Sequence, residues 1–418
     1  ETDGMIELLK EAGMTAVSFE EKADVYLINT CSVTNMADKK SRQMIHRAKK
    51  LNPDAVVIAA GCYVQAAKDK LMEDDRISII IGNNKKKDIV QILEDYLEIG
   101  VTDEGMLDIA AEKEYEPLTI NSTLEHTRAY VKIQDGCNQF CSYCIIPYVR
   151  GRIRSRELAS ITEEVERLAQ TGVKEIVLTG IHISSYGKDK ENEVGLADVI
   201  DAISKIESIE RIRLGSLEPG IITDTFIDRI VDNKKVCPHF HLSLQSGCNT
   251  VLKRMNRKYT CEEYFEKCEM LRKAFDRPAL TTDVIVGFPG ETDEEFQETV
   301  DYLTKLNLYE MHIFKFSPRQ GTVAAGMRDQ IGPEIKNQRS DVLLALSEKN
   351  KHAYEASFRG ETLEVLVEEK VRRNGKNGYR GHTERYIDIF VEEECMHRIC
   401  GREADIINHI VQIPYGME

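Results

Sequence analysis

The sequence predicts an α/β protein in three parts: an N-terminal parallel α/β sandwich, a central partial (β/α)6 barrel and a small C-terminal β-barrel. Three observations predict it. Short apolar runs alternate with helix-period stretches over residues 25–84. A longer alternation of six strand candidates with helical segments fills 122–348. Beyond Phe358 the helix pattern gives way to strand signals split by Gly-rich turns. At 418 residues the chain is long for one domain of roughly 100–200 residues, so several cores are expected.

In the first part the runs VYLINT, AVVIAAGC and ISIIIGN read as parallel strands joined by helices, which makes residues 1–100 one domain. An acidic stretch without clear periodicity, Thr102 to Pro117, reads as a linker. The second part, 122–348, carries strand candidates at AYVKIQDG, EIVLTGI, RIRLGSL, HFHLSLQSG, TTDVIVGFPG and MHIFKFSP, with helices such as ELASITEEVERLAQ between them. Functional residues are expected where those strands end, because the connecting loops gather there. The third part, 356–418, offers ETLEVLVEE, ERYIDIFVEE and HIVQIPYG, with turns expected at Asn374-Gly375 and Asn377-Gly378 and little helix.

Hydrophobic residues at 42% and charged residues at 30% are the balance of a soluble globular chain. No apolar run approaches the roughly 20 residues needed to span a bilayer, and no charged-then-apolar leader opens the sequence, so the expectation is a cytoplasmic protein without a membrane partner. The net charge of -15 argues against indiscriminate binding to nucleic acid, although it says little about local patches. Eleven cysteines in a reducing compartment point to metal binding or catalysis instead of a disulfide framework.

The strongest motif is GCNQFCSYC, where Cys137, Cys141 and Cys144 place three thiols in one loop after the first barrel strand. Three soft ligands at this spacing suit an iron-sulfur cluster and leave one iron without a protein ligand. The rivals are three ordinary buried thiols and a zinc site, for which no fourth Cys or His stands at the usual spacing. C-x3-C-x2-C after the first strand of a six-fold repeat resembles the radical S-adenosylmethionine (SAM) signature. The resemblance implies a radical SAM barrel in which the open iron chelates SAM and one electron splits it into methionine and a 5′-deoxyadenosyl radical. It also places Tyr143 beside the adenine, with plain packing under the loop an equal alternative.

Cys31 ends VYLINT and Cys62 ends AVVIAAGC, so both fall at the carboxyl edge of the first sheet, where such sheets bind ligands. A buried Cys at a strand end is commonplace, but the surrounding NTCSVTNMADKKSRQ and AAGCYVQ resemble the N-terminal domain of radical SAM methylthiotransferases. That resemblance implies two 4Fe-4S clusters, the second held by Cys31, Cys62 and a third ligand expected upstream of Glu1. It extends to the C-terminal part, which is similar to the RNA-binding TRAM domain. Three subfamilies compete: two act on tRNA, at isopentenyladenosine or threonylcarbamoyladenosine, and one acts on an aspartate of a ribosomal protein. DGCNQFCSYCIIPYVRGRIRSR and LTGIHISSYG are most similar to the threonylcarbamoyladenosine group. The implied activity inserts a methylthio group at C2 of that tRNA adenine, consuming two SAM molecules and electrons from a donor such as flavodoxin or ferredoxin. The rival class is a non-catalytic iron-sulfur RNA-binding sensor.

Basic residues collect near the proposed chemistry: Lys39, Lys40, Arg42, Arg47, Lys49 and Lys50 after Cys31, and Arg150, Arg152, Arg154 and Arg156 after Cys144. Alternate arginines in an extended stretch would share one face and meet phosphates, whereas the lysine run also fits a solvated helix face. In the last part, Arg372, Arg373 and Lys376 lead a basic stretch read as contacting RNA phosphates, with loop solvation as the alternative. By analogy with radical SAM barrels, Thr179, Gly180, Ser243 and Arg254 are placed to contact SAM. His182, His239 and His241 read first as packing or hydrogen-bonding residues. Cys237, Cys248, Cys261, Cys268, Cys395 and Cys400 receive no role.

Overall fold

A computed structural model of the chain describes residues 1–32, 34–100, 106–120, 127–191, 194–401 and 405–416. The start of the expected linker at Thr102 and the expected barrel start at Ser122 lie outside the described residues. The chain forms two compact units, one of Glu1–Asn121, Gln134–Arg156 and Ser317–Met327, the other of Ser122–Ile133, Glu157–Phe316 and Arg328–Glu418. The cysteine loop therefore groups with the N-terminal sheet.

The first unit runs α1 (Thr2–Glu11), β1 (Val25–Thr30), α2 (Asn35–Leu51), β2 (Val56–Gly61), α3 (Cys62–Ala66), α4 (Lys68–Met72), β3 (Ile79–Ile81) and α5 (Ile89–Ile99). Its sheet is parallel in the order β1-β2-β3. Strand β2 is apolar throughout because both its faces are covered. Val57 and Ala59 pack with Ile45 and Ala48 of α2, while Ile58 and Ala60 pack with Met5, Ile89 and Leu93 of α1 and α5. Thr34 starts α2 by accepting the Ala37 N–H at 3.1 Å. The last two residues of β4 (Arg128–Asp135), then α6 (Ile146–Val149), β5 (Arg154–Ser155) and the segment Ser317–Met327 also belong to this unit, with Asp135 paired antiparallel to Arg154.

The second unit holds the half-barrel. Its strands are the first six residues of β4, then β6 (Glu175–Gly180), β7 (Arg211–Leu214), β8 (His239–His241), β9 (Ala279–Val286) and β10 (Glu310–Lys315), one for each expected strand. The orders β4-β6-β7 and β8-β9-β10 are joined by parallel bridges Ile212–Val236 and Leu217–Leu242. Helices α7 (Leu158–Gln170), α8 (Leu196–Ser204), α9 (Asp224–Ile230), α10 (Asn249–Arg254), α11 (Cys261–Ala274), α12 (Asp293–Leu306) and α13 (Pro333–Ala356) intervene or follow. Ile161, Val165 and Leu168 give α7 one buried stripe, and the boxes Thr260/Glu263 and Thr292/Glu295 start α11 and α12. At the free edge of β10, Ser347 of α13 satisfies both the N–H and the carbonyl of Met311, at 2.9 and 3.2 Å.

The remaining strands are β11 (Thr362–Arg373), β12 (Lys376–Thr383), β13 (Asp388–Glu392) and β14 (Ile410–Pro414), an antiparallel sheet in the order β13-β12-β11-β14, consistent with a small barrel domain. Asn374 and Gly375, with φ of +51° and +82°, make the expected turn between β11 and β12. Asn377-Gly378 is not a turn; both residues lie inside β12. Helix α14 (Glu393–Cys400) was not expected; it is short, and among its residues only Met396 is fully buried.

Where β4, β6 and β7 begin, the barrel interior carries a charged cluster. Glu175, fully buried, pairs with Arg213 at 2.8 Å and Arg128 at 3.2 Å, and Arg211 stands 3.9 Å away. The same guanidiniums reach the C-terminal sheet domain: Arg213 donates to the Glu384 carbonyl, Arg211 to the His382 and Glu364 carbonyls, and Arg128 to Tyr386 and Glu368. Burial alone would raise the Glu175 carboxyl, but Arg213, Arg128 and Arg211 outweigh it and hold it below the ordinary range.

Candidate functional site

Thr30 pairs with Gly61 across β1 and β2, so Cys31 and Cys62 are the next residues on two adjacent parallel strands. The bend needs glycine. Gly61 has φ +99°, and a Cβ there would lie 2.7 Å from the Thr30 carbonyl oxygen. Cys31 is exposed and Cys62 buried. Beside Cys31, the fully buried Ser32 hydroxyl has no hydrogen-bond partner among the described residues.

Cys62 is held by a polar cluster. Arg150 donates its Nε–H to the Cys62 sulfur at 3.1 Å, and Asn83 approaches the same sulfur at 3.7 Å. Arg150 also pairs with Glu1 and, at 3.2 Å, with Asp135, while the fully buried Lys86 bonds Glu1 at 2.9 Å and the Asn83 oxygen at 2.8 Å. Although burial works against it, Asp135, Glu1 and Cys62 hold the Arg150 proton far more tightly than usual.

The cysteine loop enters from the end of β4. Gly136 has φ +71°, and a Cβ there would lie 1.8 Å from the Arg152 carbonyl, so only glycine lets the chain turn. Asp135 accepts the Gly136 N–H at 2.7 Å, the Cys137 N–H donates to the Gly151 carbonyl, and the Gln139 N–H points at the Cys137 sulfur at 3.5 Å. The Cys144 N–H closes a turn onto Cys141, and the Ser142 carbonyl takes the Ala324 N–H. Cys137, Cys141, Tyr143 and Cys144 are all half-buried. Cys62 packs with Ile145 and Val149, immediately beyond Cys144, so this unit brings both expected cysteine sets together.

The four arginines after Cys144 do not form a phosphate-facing row. Arg150 is taken up as described, Arg154 is fully buried and donates to the Arg150 and Arg152 carbonyls, and Arg156 is buried. Only Arg152 is exposed, and it lies over the Phe140 ring at 4.4 Å. Arg150 caps α6, Arg154 lies in β5 paired antiparallel to β4, and Arg156 follows it, so the four do not share one extended face. In α2, Lys39, Lys40 and Lys50 are solvated, Arg42 bonds the Tyr63 hydroxyl, and Arg47 pairs with Glu20.

In the second unit, Thr179 and Gly180 end β6, and Ser243 stands two residues past β8. The Ser243 carbonyl accepts from the Tyr259 hydroxyl at 2.5 Å and from Arg257 at 3.4 Å. Arg257 in turn bonds Glu218, whose carboxyl lies 3.5 Å from His182. Burial would raise the Glu218 carboxyl, but His182 and Arg257 hold it below its ordinary value. Sequence reasoning missed Glu218, Arg257 and Tyr259, which belong to no motif. Arg254 is engaged bidentately by Glu295 at 2.8 and 2.6 Å, and that hydrogen bond holds the Glu295 carboxyl down to about 2.

The basic stretch of the C-terminal sheet is matched by acids from neighbouring strands and α14. Lys376 pairs with Glu392, Lys370 with Glu393, and Arg380 with Asp388; Arg373 is 3.9 Å from Asp388, and Arg372 bonds the Gly375 carbonyl. None of the eleven cysteines is joined to another in a disulfide. Burial pushes the Cys261 and Cys268 thiols up to about 12 and Cys237 to about 11, which makes them inert.

Residues 131–303 match the Radical SAM superfamily, and residues 1–82 match Uncharacterized protein family UPF0004. The chain is 41% identical over 392 residues to the threonylcarbamoyladenosine tRNA methylthiotransferase MtaB of Bacillus subtilis, covering 93% of this chain and 86% of that protein. It belongs to the radical SAM tRNA methylthiotransferase family. The Aquifex aeolicus enzyme of the same name is 40% identical, over 93% of this chain and 92% of its own. A tRNA-2-methylthio-N(6)-dimethylallyladenosine synthase of Thermoanaerobacter pseudethanolicus is 37% identical, over 94% and 84%. Among solved structures, the radical SAM methyltransferase TsrM of Kitasatospora setae, with cobalamin and a 4Fe-4S cluster bound, shares the fold at a TM-score of 0.55 and 15% identity. That likeness covers 73% of this chain, which spans 66% of the TsrM chain.

Enzymes of this family use SAM and 4Fe-4S clusters, and the residues present fit them. Three thiols on one loop with an N–H aimed at a sulfur suit a cluster with an open iron. Paired strand-end thiols, a guanidinium on one sulfur and an orphaned hydroxyl beside the other suit a second.

Proposed function

We propose that this enzyme inserts a methylthio group at C2 of N6-threonylcarbamoyladenosine in tRNA, with Cys137, Cys141 and Cys144 holding the SAM-cleaving cluster and Cys31 and Cys62 holding the auxiliary one. The observation that carries the substrate is the 41% identity to the Bacillus subtilis enzyme of that name over nearly the whole chain. When bound, the open-iron cluster supplies the electron that cleaves SAM reductively, giving the reactivity that an unacidic C–H bond demands. The chain's own residues do the positioning. Gly136 and the Asp135 carboxylate shape the loop that presents three thiols, Gly61 lets two strand ends present their cysteines side by side, and Arg150 balances the charge on Cys62.

Tyr143 is proposed to flank the adenine of SAM, and Thr179, Gly180 and Ser243 to contact SAM at the strand ends. Arg254 joins them with Glu295 as its counter-ion. Residues 356–418 act as a TRAM-like module that holds tRNA, with Arg372, Arg373 and Lys376 meeting phosphates. Reductive cleavage needs an external one-electron donor of the flavodoxin or ferredoxin type. Among the described residues no helix is long and apolar enough to cross a membrane. Work on tRNA in the cytoplasm is the setting proposed for the enzyme.

Mass spectrometry of tRNA nucleosides from cells with and without the gene tests the reading. Loss of the 2-methylthio form and accumulation of plain threonylcarbamoyladenosine is expected. Loss of the methylthio group from dimethylallyladenosine instead would move the chain to the other tRNA subfamily, and unchanged nucleosides would sink the reading.

A further inference from the structure

Three adjacent strands of the half-barrel place two imidazoles and a carboxylate at one spot. In the registers of β8, β9 and β10, His241 faces Thr281 and Asp283 faces His312. Thr281 and Asp283 lie two apart on β9, so all four side chains share one face of the sheet. One ligand atom from each of His241, Asp283 and His312 lies within 4.8 Å of the others.

The geometry points to a binding site for a divalent transition-metal ion of the zinc or ferrous type at His241, Asp283 and His312. The His241 Nε2 atom is buried and has no hydrogen-bond partner among the described residues, although an Asp283 oxygen stands 3.4 Å away. That separation is too long for an N–H···O bond of about 2.7–3.2 Å. It does match two ligands about 2.1 Å from a tetrahedral ion, which stand about 3.4 Å apart. The other ring nitrogen, Nδ1, is 3.0 Å from the Thr281 hydroxyl. A second partner on the far nitrogen is the usual device that fixes the orientation of a metal-binding imidazole.

His312 is exposed on the edge strand, its ring stacked on that of His241 at 5.6 Å and 22°, so it can close the remaining gap without moving the backbone. Two imidazoles and one carboxylate form a donor set for zinc or ferrous iron, and three protein ligands leave coordination positions open. None of the three belongs to the cysteine sets.

The test uses the anaerobically reconstituted enzyme with both clusters loaded. Zinc chloride is titrated by calorimetry, and zinc and iron per chain are counted by mass spectrometry after desalting. One saturable zinc site per chain is expected. His312→Ala and Asp283→Asn should each lose it, and Thr281→Val should weaken it by about 10-fold or more, the usual effect of removing an outer partner, with iron unchanged throughout. His312→Ala alters an exposed side chain, so its folding is not in question. Failure of the wild type to retain zinc, or wild-type affinity in His312→Ala and Asp283→Asn, would overturn the proposal and leave a simple imidazole–carboxylate pair.

Discussion

The Glu175 and Arg150 clusters are both buried, both built from guanidinium and carboxylate, and differ in what completes them. Around Glu175 three arginines share one carboxylate; Arg211 and Arg213 direct further N–H groups to backbone carbonyls of the C-terminal sheet domain, and Arg128 to its Tyr386 hydroxyl and Glu368 carboxylate. Around Arg150 the donor set ends on a sulfur, with Glu1, Asp135 and Lys86 balancing the charge behind it. The first cluster sits where barrel strands begin, the end that carries stability; the second sits where sheet strands end, the end that carries chemistry. Buried charge is thus a sign of function only where one of its partners is a group that could bind something else.

The largest effect separates the cysteine sets. Cys137→Ala is expected to abolish 5′-deoxyadenosine formation, whereas Cys62→Ala should keep SAM cleavage and lose methylthiolation. Assaying both products in both variants would break the assignment if either pattern reversed.

Glu175→Gln should cost about 3–5 kcal/mol in denaturant unfolding at neutral pH, because it leaves the buried Arg213 guanidinium without its carboxylate. Since the folded carboxyl lies below its unfolded value, its stabilisation is present above about pH 4.3 and is lost as pH falls through the folded value. In the Gln variant that acid-side loss should vanish. A destabilisation below about 1 kcal/mol would mean the cluster is not structural in the sense argued.

Arg150→Lys keeps the charge and removes the Nε–H aimed at Cys62. A hydrogen bond from a charged donor is worth about 1.5–3 kcal/mol, so the auxiliary cluster's one-electron potential should fall by up to about 60–130 mV. An EPR-monitored redox titration reads this directly, and an unchanged potential would detach Arg150 from the cluster.

The smallest effect concerns RNA. Neutralising Arg372, Arg373 and Lys376 together should flatten the dependence of log affinity on log salt by about 0.7 for each phosphate that no longer meets a cation. Because Lys376 already has Glu392 as partner and Arg373 lies near Asp388, the change is expected to be smaller than three full phosphates would give. Filter binding across a salt series gives the slope, and no change would assign these residues to a solvated sheet edge.

Period and turn chemistry made the strands legible. Each of the six expected barrel strands overlaps an observed one, and alternation along them sets Arg211 and Arg213 of β7 against Ile212, and His239 and His241 of β8 against Phe240, on opposite faces. Gly378 shows where local signals mislead: Asn-Gly reads as a turn, yet a Cβ there would lie 2.4 Å from the Val391 carbonyl and 2.6 Å from the Phe390 ring, so this glycine serves close strand packing. The same limit hid the arginines after Cys144, where the expected single extended stretch is divided between the end of α6, β5 and the residues around it.

By itself the sequence determined the α/β class, the cysteine spacings and the strand ends that carry them, because these depend on residues near one another along the chain. Only the tertiary structure decided that Arg150 and Asn83 complete Cys62, that Glu218, Arg257 and His182 gather at the strand ends, and that His241, Asp283 and His312 converge. The reason is physical: each set draws residues from separate segments of the chain. No local propensity records which segments become neighbours; strand register and the burial of charge against charge decide it.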